Sequence, residues 1–255
     1  MKNKITVFAI MSASLALVAT SEGISVIDLS GGPPAQGSAN GAYLFASDPQ
    51  PTGTGVIDPF LREQNKPSEF GINTSISKPP YDDKPGPWTH DLKVSSLATV
   101  TYNSVNYYQF SLDGNQEMNG PISMTTFKIF VTGGDPFTSD TDLMNLVDTG
   151  TAAFDLNGAG AVRVDITSQN GSGSGDMYIL VPVSDIGTTG NLYLYAGFGL
   201  DSAGGGYESN SGFEEWYAST SNQPRITAPD GGSTVALLGA ALAGMYFLRR
   251  KIAHA

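Results

Sequence analysis

From about Leu92 to Ser219 the chain alternates apolar and polar positions with a period of two, the mark of strands with one wet face. The clearest runs are Val105–Leu112, Thr125–Val131, Ala161–Ile166, Met177–Val183 and Asn191–Phe198. Lys128 and Arg163 each place a charge between apolar neighbours, as a strand with one solvated face requires. Shorter candidates are Leu92–Thr101, Asn145–Asp148, Ala152–Leu156 and Glu214–Ala218. Turn-rich clusters separate them: Asp113-Gly114-Asn115, Gly133-Gly134-Asp135, Asn157-Gly158-Ala159-Gly160 and Gly171-Ser172-Gly173-Ser174-Gly175. This pattern predicts an all-β fold, an antiparallel β-sandwich or jelly roll, with no long helix in its body. Pro182 inside a strand run predicts an edge or a bulge.

Upstream the texture changes. From Ile24 to about Asp91 prolines and glycines crowd the chain, as in Gly31-Gly32-Pro33-Pro34, Lys78-Pro79-Pro80 and Lys84-Pro85-Gly86-Pro87. Such density argues against long helices and central strands. The expectation is a Pro/Gly-rich extended region packed on the sheet, with one strand near Ser25–Leu29. Residues 31–41 read equally well as disordered.

The two ends differ from both regions. Lys2 and Lys4 precede an apolar run of 14 residues, Ile5–Val18, and Ala19-Thr20-Ser21 supplies small residues for cleavage. That is the pattern of a secretory signal helix. At the other end, Gly231–Leu248 is an uncharged stretch of 18 residues followed by Arg249, Arg250 and Lys251. As a helix it would reach roughly 27 Å, slightly short of a bilayer core of about 30 Å. The basic triplet reads as a stop-transfer signal. The division that results is 1–21 signal peptide, 22–91 extended region, 92–227 β-sandwich and 228–255 C-terminal segment with a transmembrane helix.

Charge sharpens the picture. All 24 acidic residues lie between Glu22 and Asp230, against eight basic ones, which gives this part a net charge of −16. Such a surface repels phosphate backbones, so nucleic acid is excluded as a partner. With no cysteine in the chain, disulfides and thiol chemistry are excluded too.

Candidate chemistry is sparse. His90 is the only imidazole outside the C-terminal tail, and no strand–elbow–helix surrounds any serine that it might serve. Glu214-Glu215 precedes Trp216, and a glycosidase needs two carboxylates beside an aromatic platform. Adjacent strand residues face opposite ways, so these two are not a pair, although either could act with a distant Asp. Asp135, Asp140 and Asp142 sit on a Gly-rich segment and make Ca2+ the favoured metal, although the EF-hand spacing is missing. Trp216 is the favoured aromatic for stacking on a sugar. No catalytic constellation emerges, and the body reads as non-enzymatic.

The tail carries a resemblance. Pro229, Asp230, Gly231, Gly232, Ser233 and Thr234, then Val235-Ala236-Leu237-Leu238-Gly239 and the basic end, are similar to the C-terminal sorting signals of the PEP-CTERM class, most nearly its VPDSG-type variant. The resemblance covers only about the last 25 residues of the chain. Ala228 stands where the variant usually has Val. The resemblance implies export, transient anchoring in the inner membrane, removal of the tail by an exosortase-type protease, and then a cell-surface or extracellular location. Scattered body segments, among them Gly53–Arg62 and Gly212–Trp216, are similar to other sorted-tail secreted proteins and imply a shared β fold. The expected role is structural or interactive, in an exopolysaccharide matrix. The alternatives are a carbohydrate-binding module and a glycoside hydrolase.

Overall fold

The structure is a computed structural model that describes residues 23–47, 58–116, 120–167 and 175–220. The signal helix, the transmembrane helix, the sorting residues and the stop-transfer triplet lie outside them. Among the described residues no helix is long and apolar enough to cross a membrane.

The Pro/Gly-rich region does not lie over a sheet. It supplies five strands of the sandwich: β1 (Ser25–Asp28), β2 (Gln36–Ala39), β3 (Ala42–Ala46), β4 (Leu61–Glu63) and β5 (Glu69–Ile72). The prolines fall between these strands, where a missing N–H costs no ladder bond. Residues 36–46 form a hairpin through Asn40 and Gly41, both at positive φ, the conformation that such a tight turn demands. Further on come β6 (Leu92–Lys93), β7 (Thr99–Tyr102), β8 (Val105–Asn115), β9 (Pro121–Thr132), β10 (Phe154–Asp155), β11 (Val162–Thr167), β12 (Met177–Pro182), β13 (Asn191–Phe198) and β14 (Phe213–Ala218).

Two seven-stranded sheets result. The first runs β1-β11-β9-β13-β5, with β10 on β9 and β6 on β13. The second runs β2-β3-β12-β8-β14-β4, with β7 on β8. All pairings are antiparallel except β1 on β11, which is parallel. Pro182 therefore sits in a central strand. It is the last residue of β12, next to the short helix Val183–Ile186, so it ends the ladder without breaking it.

The alternating residues meet between the sheets. Phe110 and Leu112 of β8, Ile179 and Val181 of β12, and Leu192 and Leu194 of β13 are all fully buried there. An aromatic chain crosses the centre: Phe60–Phe110 at 6.3 Å between ring centroids, Phe110–Phe127 at 6.2 Å and Phe127–Trp216 at 5.2 Å.

Where a strand was expected over Asn145–Asp148 there is a helix, α1 (Asp140–Thr149). Leu143, Leu146 and Val147 recur at helical spacing and pack on Phe130 and Tyr193, outside the first sheet. A short amphipathic helix and a short strand are hard to separate by pattern alone.

Candidate functional site

The chemistry that the sheets bring together lies where β4 and β5, the edge strands of opposite sheets, meet at one end. Along β4 the inward residues are Leu61 and Glu63, with Arg62 outward. Along β14 they are Glu214, Trp216 and Ala218. The register puts Glu214 directly opposite Glu63. From the other sheet β5 turns Glu69 and Gly71 inward, with Glu69 opposite Phe198. Three glutamates from three strands thus share one interior, and none has measurable exposure.

Gly71 makes this possible. A Cβ there would lie 2.8 Å from Oε2 of Glu63 and 3.1 Å from Cδ1 of Leu61. Only glycine lets β5 approach the Glu63 side chain so closely.

Hydrogen bonds reach part of the cluster. Gln116 Nε2 donates to Glu214 Oε1, and the amide of Asn65 donates to Glu69 Oε2 at 2.7 Å. If all three carboxylates are ionised, both oxygens of Glu63, Oε1 of Glu69 and Oε2 of Glu214 have no donor. The indole N–H of Trp216 favours a charge on Glu63 without closing a hydrogen bond of good geometry. Among the described residues no ion pair reaches any of the three. Arg62, on the same strand, points outward between the rings of Phe213 (3.6 Å) and Trp88 (4.8 Å) and pairs with Glu215 at 3.1 Å.

Burial therefore dominates the acid–base behaviour. It pushes Glu63 well above the usual carboxylate range, and the nearby charges of Glu69 and Asp83 push it further. It does the same to Glu214, helped by the contact with Glu69. Glu69 is raised by burial, against hydrogen bonds with Glu214 and the Asn65 amide that lower it. Asp83, beside the cluster, accepts from the amide of Ile72 at 2.8 Å, yet burial lifts its carboxyl to about 7. The arrangement suits carboxyls that keep protons and share them, since a proton placed between Glu69 and Glu214 gives Oε1 of the first and Oε2 of the second a partner, and a proton on Glu63 removes its buried charge.

The expected sites fare differently. Glu214 and Glu215 do face opposite ways, but Glu214 is paired with Glu63 and Glu69 rather than with an Asp. Trp216 is fully buried against Phe127 and Phe198, so it has no face for a sugar, and the stacking expectation is corrected. The three aspartates expected as Ca2+ ligands are not brought together. Asp140 and Asp142 belong to the first turn of α1, where negative charge complements the helix dipole. Among the described residues no three acidic or histidine side chains, Asp135 included, gather to hold a metal. His90 lines a surface hollow with Ser75 and Ser77. Its Nδ1 lies 2.9 Å from the carbonyl of Asp91, while the Asp91 carboxylate accepts from the Ser75 amide, so no carboxylate–imidazole–serine relay forms.

Glu63 and Glu69 escaped the sequence reading. Their one signal is phase, a glutamate at the inward position of Leu61-Arg62-Glu63 and of Glu69-Phe70-Gly71. That phase has meaning only once β4 and β5 are known to be strands.

No curated protein and no solved structure matches the chain. The tail, in contrast, matches a family model over residues 229–252. The chain carries there a VPDSG-CTERM motif, a C-terminal sorting signal of the PEP-CTERM type that marks a protein for export through the cell envelope.

Proposed function

We propose that this is an exported, non-enzymatic envelope protein whose tail is cut by an exosortase-type protease, leaving the β-sandwich at the cell surface or in the surrounding matrix. The observation that carries this reading is the motif at residues 229–252, directly behind the sandwich. Thr220 still bridges to Leu97, and the motif begins nine residues later. Nine residues span at most about 30 Å. The sandwich is thus held close to the membrane until cleavage. Val235–Leu248 serves as a temporary inner-membrane handle and Arg249, Arg250 and Lys251 keep the end cytoplasmic. The carboxylates are sealed between the sheets, which favours a structural role over glycoside cleavage.

The test replaces Pro229 and Asp230 with alanine in the full chain and fractionates the cells. Wild type is expected at the surface or in the medium, and the variant in the inner membrane. Identical distributions would overturn the reading.

A second reading, binding of extracellular polysaccharide, has one observation in its favour. Tyr43, Tyr102 and Tyr107 cluster on the outer face of the second sheet, with Tyr43–Tyr102 at 5.0 Å. Tyr43 and Tyr102 are half-buried. A glycan array probed with wild type and with a Tyr43→Ala, Tyr102→Ala variant tests it. Equal or absent binding would remove it.

A further inference from the structure

We propose that Glu63, Glu69 and Glu214 form a proton-operated clasp, which holds the β4–β5 end of the sandwich closed while protonated and releases it as the surroundings become alkaline. The geometry carries the idea. β4 and β5 are edge strands of different sheets, so no ladder joins them directly, and the 82–84 segment bridges them at the edge with backbone bonds to Arg62 and Gln64 on one side and Phe70 on the other. Across the gap the inward groups are these carboxyls: Glu69 of β5 meets Glu214 of β14, and Glu63 of β4 lies beside them with the Trp216 indole. Glu63 is fully buried with both oxygens unpartnered, and the Trp216 N–H beside it is unpartnered too.

The neighbouring charges give no relief. Asp82 and Asp83 flank the cluster, and Lys84 acts chiefly on Asp83. Arg62 and Glu215 neutralise each other on the outer face. Tyr195 lies on the outer face of the first sheet, against Phe70 and Tyr81. Loss of the shared protons would leave like charges directly opposite on β4 and β14, in an interior of low dielectric. The repulsion acts on β4 and β5, the edge strands, and on the end of β14 beside them, whereas β8, β9, β12 and β13 lie in the middle of the two sheets.

The sign follows from linkage. The closed state holds protons more tightly than the open one, so the clasp's stability is fully present below the ordinary glutamate range. It is lost as pH rises through the raised values of the closed state. An exported domain meets the pH of its surroundings, which gives such a device something to sense. The clasp itself does not depend on the sorting reading.

The experiment is hydrogen exchange by mass spectrometry on the full chain, corrected for the intrinsic pH dependence of exchange. From about pH 5 to about pH 9, protection in 61–63, 69–72 and 213–216 is expected to fall about tenfold or more, while β9 and β13 keep theirs. In the Glu63→Gln, Glu69→Gln, Glu214→Gln variant, whose trio carries no charge at any pH, the fall should vanish. Constant protection in wild type, or the same fall in both proteins, would overturn the proposal. If the variant does not fold, carbon-13 NMR of the glutamate carboxyls in wild type decides. Retention of a proton within the trio above about pH 6 supports the clasp, and full ionisation of all three by about pH 5 refutes it.

Discussion

Replacing Trp216 with alanine separates a core residue from a sugar platform. The side chain has no exposure and packs on Phe127 at 5.2 Å and Phe198 at 6.4 Å. On its own sheet it sits opposite Leu112 and Leu61. Removing a buried tryptophan costs about 3–5 kcal/mol, through lost transfer energy and the cavity left behind. For a domain of this size each kcal/mol moves the thermal midpoint by about 2–4 °C, so a drop of about 6–20 °C is expected. Urea unfolding followed by circular dichroism should show a lower midpoint with an unchanged slope. Trp216→Phe keeps the ring contacts and deletes an N–H that closes no good hydrogen bond, so its cost should stay near 1–2 kcal/mol, about that of a modest shape change. A loss below about 1 kcal/mol in the alanine variant would refute the placement of Trp216 in the core.

Three further outcomes follow from the same geometry. Asp83→Asn should flatten the pH dependence of stability: burial lifts the carboxyl to about 7, so its contribution is present below about 4 and declines, by about 4 kcal/mol in all, as pH rises through 7. Denaturant midpoints at several pH values check this, and parallel curves for the two proteins would contradict it. Gly71→Ala should cost about 1–3 kcal/mol, because the new methyl meets Glu63 Oε2 at 2.8 Å and Leu61 Cδ1 at 3.1 Å; an unchanged thermal midpoint would show that the edge strands are loosely packed. Arg163→Ala should free the loop after β13. Arg163 holds Asp165 through Nε at 2.9 Å and Asp201 at 2.6 Å, and Asp201 in turn caps the amides of Ala203 and Gly205. The expected cost is about 1–3 kcal/mol, with faster hydrogen exchange in 201–207; unaltered exchange there would count against the latch.

The strands with clean alternation were legible in the sequence because their period of two is itself the signature of a half-buried sheet. Val105–Leu112 and Asn191–Phe198 are examples. Helix α1 was not legible, since Asn145–Asp148 is too short for its period to be distinctive and Asp140 and Asp142 alternate as ligands would. The strands β2 to β5 were hidden because the prolines sit between them, yet composition is read over the whole window. The glutamate cluster was beyond reach for another reason. Nothing local to Glu63, Glu69 or Glu214 says that three separate strands will fold these side chains into one interior. Trp216 illustrates the same gap, because a tryptophan looks alike in a core and on a binding face until its neighbours are known. The tail is the opposite case. Its message is a linear string recognised as a peptide, so no folding is needed to read it.

The function proposed for this chain depends most on the processing of that tail. Intact-mass analysis of the protein recovered from the surface and medium of producing cells tests it directly. The predicted result is a mass lacking the residues that follow the Pro229–Thr234 motif, as well as the N-terminal leader. Recovery of every molecule with Val235–Ala255 still attached would contradict it.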